Sequence, residues 1–246
     1  MPEFPLNRFS DMVELSPEEA EMLRVLGEPP VRYRRHAVIR REGEPVKGIY
    51  LMIAGWACSS IMLPSGLRQI VKLHLPGDML GTPSMALSHA ADTLFALTDC
   101  TIAFVPMARV RALFEQSPRM IALFLAFVQY ERVALMDIGA LLGRSSARER
   151  YATFLIDVHS RLLRAGLGEE DRFELPLTQE QIGDVLGLTM VHTNRTVRAL
   201  EREGLIARSG SLVILRDPAA IRRISPLPKR TPAFGLDWLP RAAADG

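Results

Sequence analysis

Two kinds of hydrophobic pattern divide the chain. Between Val31 and Val105, apolar residues occur in short β-rich runs separated by Gly, Pro and Asp, which is typical of a sandwich or small barrel. Before this region, the capping box that begins at Ser16 predicts a helix ending at Gly27. After Pro106 the apolar residues recur at helical spacing. The predicted strands are Tyr33–His36, Gly48–Ala54, Ala57–Met62, Arg68–Leu75, Thr93–Leu97 and Thr101–Val105.

A long helix is predicted to follow a short one over Met107–Gln116. It begins at Pro118 and reaches about Arg144, and its apolar residues repeat every seven positions with a polar break at Glu131. Part of this stripe is expected to pack on the β-rich domain of the same chain. Because the helix is long enough to serve a second surface as well, we expect a parallel homodimer. The predicted interface residues are Ile121, Phe124, Val128, Leu135, Ile138 and Leu142.

A pair of shorter helices is predicted between Thr178 and Glu203. Thr178 and Thr189 are suitable N-cap residues, and Gly187 suits the left-handed end of the first helix. These caps, the tight Gly turn and a shared apolar face predict a helix-turn-helix. Two β-rich runs around Ser209-Gly210 then predict a hairpin, which would make the unit a winged helix. The apolar face consists of Ile182, Val185, Leu186, Val197 and Leu200.

The solvated face of the second helix carries the candidate chemistry. Asn and Arg side chains can form paired hydrogen bonds with adenine and guanine edges in the major groove of DNA. The alternative is an ordinary surface helix of a bundle, on which the same side chains are merely solvated. Arg208, near the tip of the hairpin, is a candidate phosphate contact. The residues predicted to share the DNA-facing side are Met190, Val191, Asn194, Arg195 and Arg198.

Composition narrows the class of protein. The chain has 246 residues, 48% of them hydrophobic, so it can bury a sizeable core, and its net charge of +2 produces no large basic field. Cys58 and Cys100 cannot form a disulfide framework and indicate a reducing compartment. The N-terminus lacks a signal-peptide layout, and the most apolar run, from Met120 to Val128, is too short to span a bilayer. We expect a soluble, cytoplasmic protein that does not bind membranes.

Three stretches carry a family resemblance: Gly43-Glu-Pro-Val-Lys-Gly-Ile-Tyr-Leu-Met-Ile-Ala-Gly, Pro76-Gly-Asp and Leu177-Thr-Gln-Glu-Gln-Ile-Gly-Asp-Val-Leu-Gly-Leu-Thr. Together with the element order, they resemble the Crp/Fnr family of bacterial transcription regulators over roughly Val31 to Leu215. The resemblance implies an α+β fold. It consists of a cyclic-nucleotide-binding-like β-roll (jelly-roll) domain over 1–117, a dimerisation helix and hinge over 118–145, a winged-helix DNA-binding domain over 146–217 and a tail over 218–246. The stretch from Phe234 to Leu239 in that tail is a candidate docking segment.

The resemblance also implies a mode of DNA recognition. A homodimer would bind a two-fold-symmetric operator on double-stranded DNA, and RNA polymerase would be a further partner. Arg195 matches the family's guanine-reading arginine, whereas Val191 stands where the best-known members have a Glu. Val cannot accept a hydrogen bond from a cytosine amino group but can touch a thymine methyl, so the operator should differ at that base pair. The remaining contacts are expected from His192 and Asn194 and, on the phosphate side, from Thr178, Gln179, Thr189 and Arg208.

The family's ligand site is not retained. Thr82 replaces a ribose-binding Glu, and Ala90-Ala91 falls near the Arg-Ser pair that holds the cyclic phosphate in nucleotide-binding members. Alanine offers neither a cation nor a hydroxyl to a phosphate, so we expect no cyclic AMP. Two cysteines are too few for an iron–sulfur cluster, and the family's haem ligands are missing around Gly81. We predict no cofactor and no metal and leave the effector open, with Thr82, Ser84, Leu135 and Met136 as candidate pocket residues.

Two other functions stay open. A ligand-sensing or scaffold protein could use the winged helix for protein contacts instead of DNA. A cupin-like enzyme would need a His-x-His motif with a carboxylate on adjacent strands, whereas His74 and His89 are isolated. We therefore expect a DNA-binding regulator that is not an enzyme.

Overall fold

A computed structural model describes residues 3–228, 230 and 233–240. Its helices are α1 (Asn7–Ser10), α2 (Pro17–Arg24), α3 (Met107–Gln116), α4 (Pro118–Arg144), α5 (Ala147–Arg164), α6 (Gln179–Leu186), α7 (Met190–Arg202) and α8 (Pro218–Ile224). Its strands are β1 (Val31–Tyr33), β2 (Val38–Arg40), β3 (Gly48–Ala54), β4 (Ala57–Met62), β5 (Arg68–His74), β6 (Met79–Leu80), β7 (Thr93–Ala96), β8 (Cys100–Pro106), β9 (Arg172–Glu174), β10 (Ile206–Ser209) and β11 (Leu212–Leu215).

The chain forms two compact units. The N-terminal unit comprises residues 1–59, 73–133 and 231–246, as far as they are described. The C-terminal unit comprises residues 60–72 and 134–230. Residues 60–72 are the outer part of the β4–β5 hairpin, so this hairpin tip groups with the helix-turn-helix rather than with its neighbours in sequence.

The β-rich region folds as two four-stranded sheets with strand orders β1-β8-β3-β6 and β2-β7-β4-β5. Alternate residues of β3 serve two cores, as the two-residue period of a strand requires. Met52 packs with Leu94 and Ile102, whereas Leu51 and Ile53 pack with the N-terminal helices and α4. The predicted β-roll, long helix and winged helix are confirmed.

The sequence misplaced the first part of the β-roll. The predicted strand Tyr33–His36 is wrong, because β1 ends at Tyr33 and His36 adopts a left-handed conformation with φ 68°. A non-glycine residue in that conformation cannot continue a strand. The sequence also missed β2, β6 and a 3₁₀-helix at Thr82–Ala86, each of which is too short to show a hydrophobic period.

Helix α4 has a buried face and an exposed face. In its first half, Met120, Leu123 and Phe127 lie in the core of the N-terminal unit. In the predicted seam, Ile121 remains 43% exposed and Leu135 remains 42% exposed, while Phe124, Val128, Ile138 and Leu142 are half-buried. Part of the helix therefore packs on its own chain, as expected, and a second apolar stripe is uncovered in the single chain.

The segment after residue 217 is partly ordered. The sequence gave no sign of α8, whose Ile221 is fully buried in the C-terminal unit. Farther on, Leu239 is buried in the N-terminal unit, and the Gly235 amide donates to the Met12 carbonyl at 2.9 Å. The docking segment is thus held by Leu239 and by backbone, while the rings of Phe234 and Trp238 remain largely exposed. Residues 229, 231–232 and 241–246 of the predicted tail lie outside the described residues.

Candidate nucleic-acid interface

Helix α6 begins at a capping box. The hydroxyl of Thr178 accepts from the Gln181 amide at 3.2 Å, and the Gln181 side chain accepts from the Thr178 amide at 2.9 Å. The predicted N-cap is confirmed, and it satisfies two backbone donors that a helix start would otherwise leave without partners. The same end of the helix directs free amide groups and a partial positive charge outward, which suits a DNA phosphate.

The turn between the two helices depends on two glycines. Gly187 ends α6 in the left-handed conformation with φ 63°, as the sequence predicted. Gly183 was not singled out, yet a Cβ there would lie 2.6 Å from the Leu188 carbonyl and 3.3 Å from the Thr193 hydroxyl. Only glycine allows α6 to approach the following turn and α7 this closely.

Helix α7 presents the predicted reading face to solvent. It starts at Thr189, whose hydroxyl accepts from the His192 amide at 3.2 Å. The buried side consists of Thr193, Thr196, Val197 and Leu200. On the opposite side Val191 is 74% exposed and Met190 53% exposed, and Arg195 and Arg198 are exposed as well. Asn194 and His192 are half-buried at the edges of this face.

The reading face therefore combines an arginine fork, an amide, an imidazole and two apolar side chains. In the described part of the chain, the Arg195 guanidinium is not taken up by any hydrogen bond or ion pair. By contrast, Arg148 of α5 forms a two-pronged ion pair with Glu203 just after α7, and this hydrogen bonding lowers the pKa of the Glu203 carboxyl. Arg195 is thus available to a ligand in a way that Arg148 is not.

The four predicted phosphate-side residues occupy different environments. Thr178 and Thr189 are exposed at the starts of α6 and α7. Gln179 is half-buried, and its side-chain oxygen is buried without a hydrogen-bond donor among the described residues. Arg208 lies on β10 and is half-buried, with its Nη2 donating to the Leu177 carbonyl at 3.0 Å. Its contact with phosphate stays a prediction, and the structure gives it a local role beside the start of α6.

The wing has the predicted topology. Strands β10 and β11 pair in antiparallel register from Ile206 opposite Leu215 to Ser209 opposite Leu212, and β9 adds a third strand. Gly210 forms the turn with φ 60°. Beneath the helices, Tyr151 of α5 is fully buried, and this burial raises the pKa of its phenol to about 12. Tyr151 is therefore a core residue that anchors the winged helix rather than part of its surface.

In the β-roll, the position expected for a ligand holds internal polar contacts. Ser84 is fully buried, and its hydroxyl accepts from the Ala91 amide at 3.1 Å and from Arg40 Nη2 at 3.4 Å. Arg40 is itself only 4% exposed and forms an ion pair with Asp92. Its Nε and Nη1 are buried without an acceptor among the described residues, and a Cβ at Gly81 would lie 2.7 Å from Nη1. The sequence analysis missed Arg40, because β2 is too short to show that this arginine faces inward.

The other candidates for effector chemistry are dispersed. Thr82 is half-buried at the start of the 3₁₀-helix, and Leu135 and Met136 are exposed on the part of α4 that belongs to the C-terminal unit. Cys58 and Cys100 are buried in strands, and burial raises the pKa of the Cys100 thiol to about 11. His74 is buried beside the Ser59 hydroxyl at 2.8 Å, as expected of a core histidine with a partner. Among the described residues, no group of three or more His, Cys, Asp or Glu could hold a metal ion.

Comparison with known proteins identifies both halves of the chain. Residues 30–117 match the model of the cyclic nucleotide-binding domain, and residues 149–224 match that of the Crp-like helix-turn-helix domain. The latter range includes α8. No helix in the described residues is long and apolar enough to cross a membrane.

Similar proteins carry the same combination of domains. The transcriptional activatory protein AadR of Rhodopseudomonas palustris is 35% identical over 83% of this chain and 84% of its own length. The nitrogen fixation regulation protein FixK of Bradyrhizobium diazoefficiens is 38% identical over 67% of this chain and 68% of its own. The solved structure of FixK2 from Bradyrhizobium japonicum has a TM-score of 0.74 at 27% identity and covers 82% of this chain and 98% of that one. This chain therefore belongs to the Crp/Fnr family and is a DNA-binding transcription regulator.

Proposed function

We propose that the protein binds a two-fold-symmetric operator as a homodimer, with α7 of each subunit in the major groove. The observation that carries this proposal is the exposed face of α7, where Arg195 is available and the two capped helix starts lie nearby. A capped helix pair with a solvated second helix has the geometry that major-groove readers use. Cytoplasmic location and RNA polymerase as a partner follow from the proposed role and remain part of the proposal.

Within each half-site, we assign guanine recognition to Arg195. A guanidinium can donate two hydrogen bonds to the O6 and N7 atoms of guanine. Val191, at 74% exposure, offers only a methyl surface and is suited to a thymine methyl. Asn194 and His192 supply the remaining polar groups, Met190 and Arg198 flank them, and Thr178, Gln179, Thr189 and Arg208 set the register along the phosphates.

The dimer is proposed from the second stripe of α4. Ile121 and Leu135 are large apolar residues that remain more than two-fifths exposed in a single chain. Two such stripes packed in parallel would remove this surface from water and would relate two copies of α7 by a two-fold axis. The operator would then consist of two half-sites separated by about one turn of DNA, on the order of 10 base pairs between centres.

The proposed effector chemistry excludes cyclic AMP, iron–sulfur clusters and haem. Arg40 and Asp92 neutralise each other beside Ser84, so an anionic ligand would have to displace the Asp92 carboxylate to reach the Arg40 guanidinium. Ala90 and Ala91 add no further cation or hydroxyl. Thr82, Ser84, Leu135 and Met136 remain the candidate contacts for an effector of another class.

Replacement of Arg195 tests the assignment of the reading face. We expect Arg195→Ala to weaken binding to the wild-type operator about a hundredfold, the loss of roughly one strong bidentate base contact. Affinity should be measured by fluorescence anisotropy at fixed salt, since phosphate contacts make binding salt-dependent. Arg111→Ala, which removes the same charge from an exposed site on α3, should bind normally. Equal operator affinity for Arg195→Ala and Arg111→Ala would refute the assignment.

A further inference from the structure

The tip of the β4–β5 hairpin is bound to the helix-turn-helix of the same chain. Residues 60–72 belong to the C-terminal unit, and Arg68 and Gln69 at the start of β5 reach the end of α6. No feature of the local sequence marks these two residues, which read as ordinary polar positions of a strand. Their contacts concern the turn that leads into the reading helix.

The last carbonyls of α6 can be accounted for completely. A helix end leaves four carbonyls without partners inside the helix. The Gly183 carbonyl accepts from the Leu188 amide at 3.0 Å, within the turn itself. The remaining three accept from side chains elsewhere: Gln69 Nε2 donates to the Asp184 and Val185 carbonyls at 2.6 and 3.2 Å, and Arg150 Nη1 donates to the Leu186 carbonyl at 3.0 Å.

Charge complementarity reinforces this arrangement. Arg68 donates to the Asp184 carboxylate, with Nε at 2.8 Å and Nη2 at 2.6 Å from the same oxygen, and both side chains are mostly shielded from solvent. The guanidinium groups of Arg68 and Arg150 lie at the end of α6 where the helix dipole is negative, which favours cations there. Arg150 also donates to the Leu142 and Ser145 carbonyls at 2.8 and 3.0 Å and so joins the end of α4 to α6.

The same three side chains surround the turn glycine. A Cβ at Gly187 would lie 3.6 Å from Arg150 Nη1 and 3.8 Å from Gln69 Oε1. Two residues later Thr189 caps α7, so the orientation of the reading helix is set immediately after this point. Val191 and Arg195 remain exposed while the hairpin is bound, so its contacts do not cover the face that would meet DNA.

We propose that Arg68 and Gln69 of the β4–β5 hairpin, together with Arg150, are positioning residues for operator binding, because they fix the end of α6 and the turn into α7. The role rests on the proposed DNA-reading function and deepens it. Without these contacts, three carbonyls at the end of α6 would be satisfied by water. The turn would then sample more orientations, and only a fraction of molecules would present α7 correctly.

The first measurement requires no DNA. Amide hydrogen exchange of residues 184–190 should be about tenfold faster in Arg68→Ala/Gln69→Ala than in the wild type, since exchange reports local opening. A matched control, Arg41→Ala/Gln116→Ala, removes the same groups from exposed positions in the N-terminal unit and should leave this segment unchanged. Exchange equal to the wild type in Arg68→Ala/Gln69→Ala would overturn the proposal.

The second measurement uses the duplex that wild-type protein selects from random DNA and a shuffled duplex of equal length. Arg68→Ala/Gln69→Ala should lose about tenfold in affinity for the selected duplex, a coupling in the range seen for residues that touch neither ligand. Binding to the shuffled duplex should not change, because the DNA-facing side chains are intact. Unchanged or tighter binding to the selected duplex would overturn the positioning role, and tighter binding would mean that the hairpin is inhibitory.

A charge exchange separates positioning from a loss of folding. Arg68→Asp and Asp184→Arg should each impair protection and affinity, whereas the double variant Arg68→Asp/Asp184→Arg should recover most of both. Failure of the double variant to recover either property would contradict the proposed pairing. If the wild type selects no duplex, the proposed function itself is wrong, and that result is distinct from normal wild-type binding with unaffected hairpin variants.

Discussion

Arg40 shows how one buried side chain can change the chemistry of a whole domain. Its guanidinium is 4% exposed, lies against Ser84 and is neutralised by Asp92 in the part of the β-roll where a nucleotide phosphate would be expected. Placing two charges away from water is costly, and removal of one partner leaves the other uncompensated. The ion pair therefore ties the stability of the β-roll to a site that relatives of other specificity use for ligands.

Substitution of Asp92 should reveal this dependence. We expect Asp92→Asn to lower the free energy of unfolding by about 3 kcal/mol, the typical cost of breaking a buried pair. Adding Arg40→Met should recover part of the loss, since no unpaired charge would then be buried. Urea unfolding would measure both changes, with Asp99→Asn at an exposed site as the control. A loss for Asp92→Asn as small as that of a surface substitution, about 0.5 kcal/mol, would contradict this view of the pair.

Cys100 should be chemically silent in the folded protein. Burial, with a smaller contribution from the neighbouring Asp99 carboxylate, raises the pKa of its thiol to about 11, so the reactive thiolate is scarce near neutral pH. The folded state binds a proton that the unfolded state releases above about pH 9. This group's contribution to stability is therefore complete below that pH and is lost as the pH rises towards 11.

A thiol-reactive dye tests this expectation directly. At pH 8, Cys100 should react only after the protein is unfolded in urea, and Cys58, which is fully buried, should behave likewise. Labelled peptides identified by mass spectrometry would report the two sites separately. Fast labelling of Cys100 in the native protein would contradict the expected protonated, inaccessible thiol and would favour a redox role.

At this scale, local chemistry could be predicted and long-range contacts could not. The exposure of Val191 and Arg195 follows from helical spacing relative to Val197 and Leu200. By contrast, Arg40 and Gln69 act on groups more than 40 residues away in the sequence, and no neighbouring residue indicates their partners.

At the scale of elements, helix starts were the most predictable features. The capping boxes at Ser16, Ser146 and Thr178 need only a residue and its neighbour three positions on, and all three are present in the structure. Short elements such as β2 and α8 contain too few residues to display a period, and they exist because the surrounding structure holds them in place. Their absence from the prediction follows from this dependence.

Helix α4 allows the dimer to be tested through a single position. We expect Leu135→Glu to raise the dimer dissociation constant at least about tenfold, because a carboxylate would be buried in the apolar seam. Ala140→Glu is the matched control, since Ala140 is exposed on the same helix five residues farther on and outside the heptad seam. Sedimentation equilibrium would compare the two variants. A stable Leu135→Glu dimer, or equal weakening by both substitutions, would place the interface elsewhere.

For the whole molecule, the sequence predicted which domains are present but not how segments are exchanged between them. The hairpin tip at 60–72 groups with the winged helix, and the described residues near Leu239 group with the β-roll. Both assignments depend on side chains such as Gln69 and Leu239, whose partners are distant in the sequence. Hydrophobic periodicity describes each element by itself and therefore could not reveal these exchanges.

The central claim is that two copies of α7, related by a two-fold axis, read DNA through Arg195. Selection of bound sites from random duplex DNA with the purified protein tests it most directly. The account predicts an enriched two-fold-symmetric motif with a guanine in each half-site and half-site centres about 10 base pairs apart, and it predicts that Arg195→Ala loses the preference for that guanine. No enriched motif, or a motif without two-fold symmetry, would contradict it.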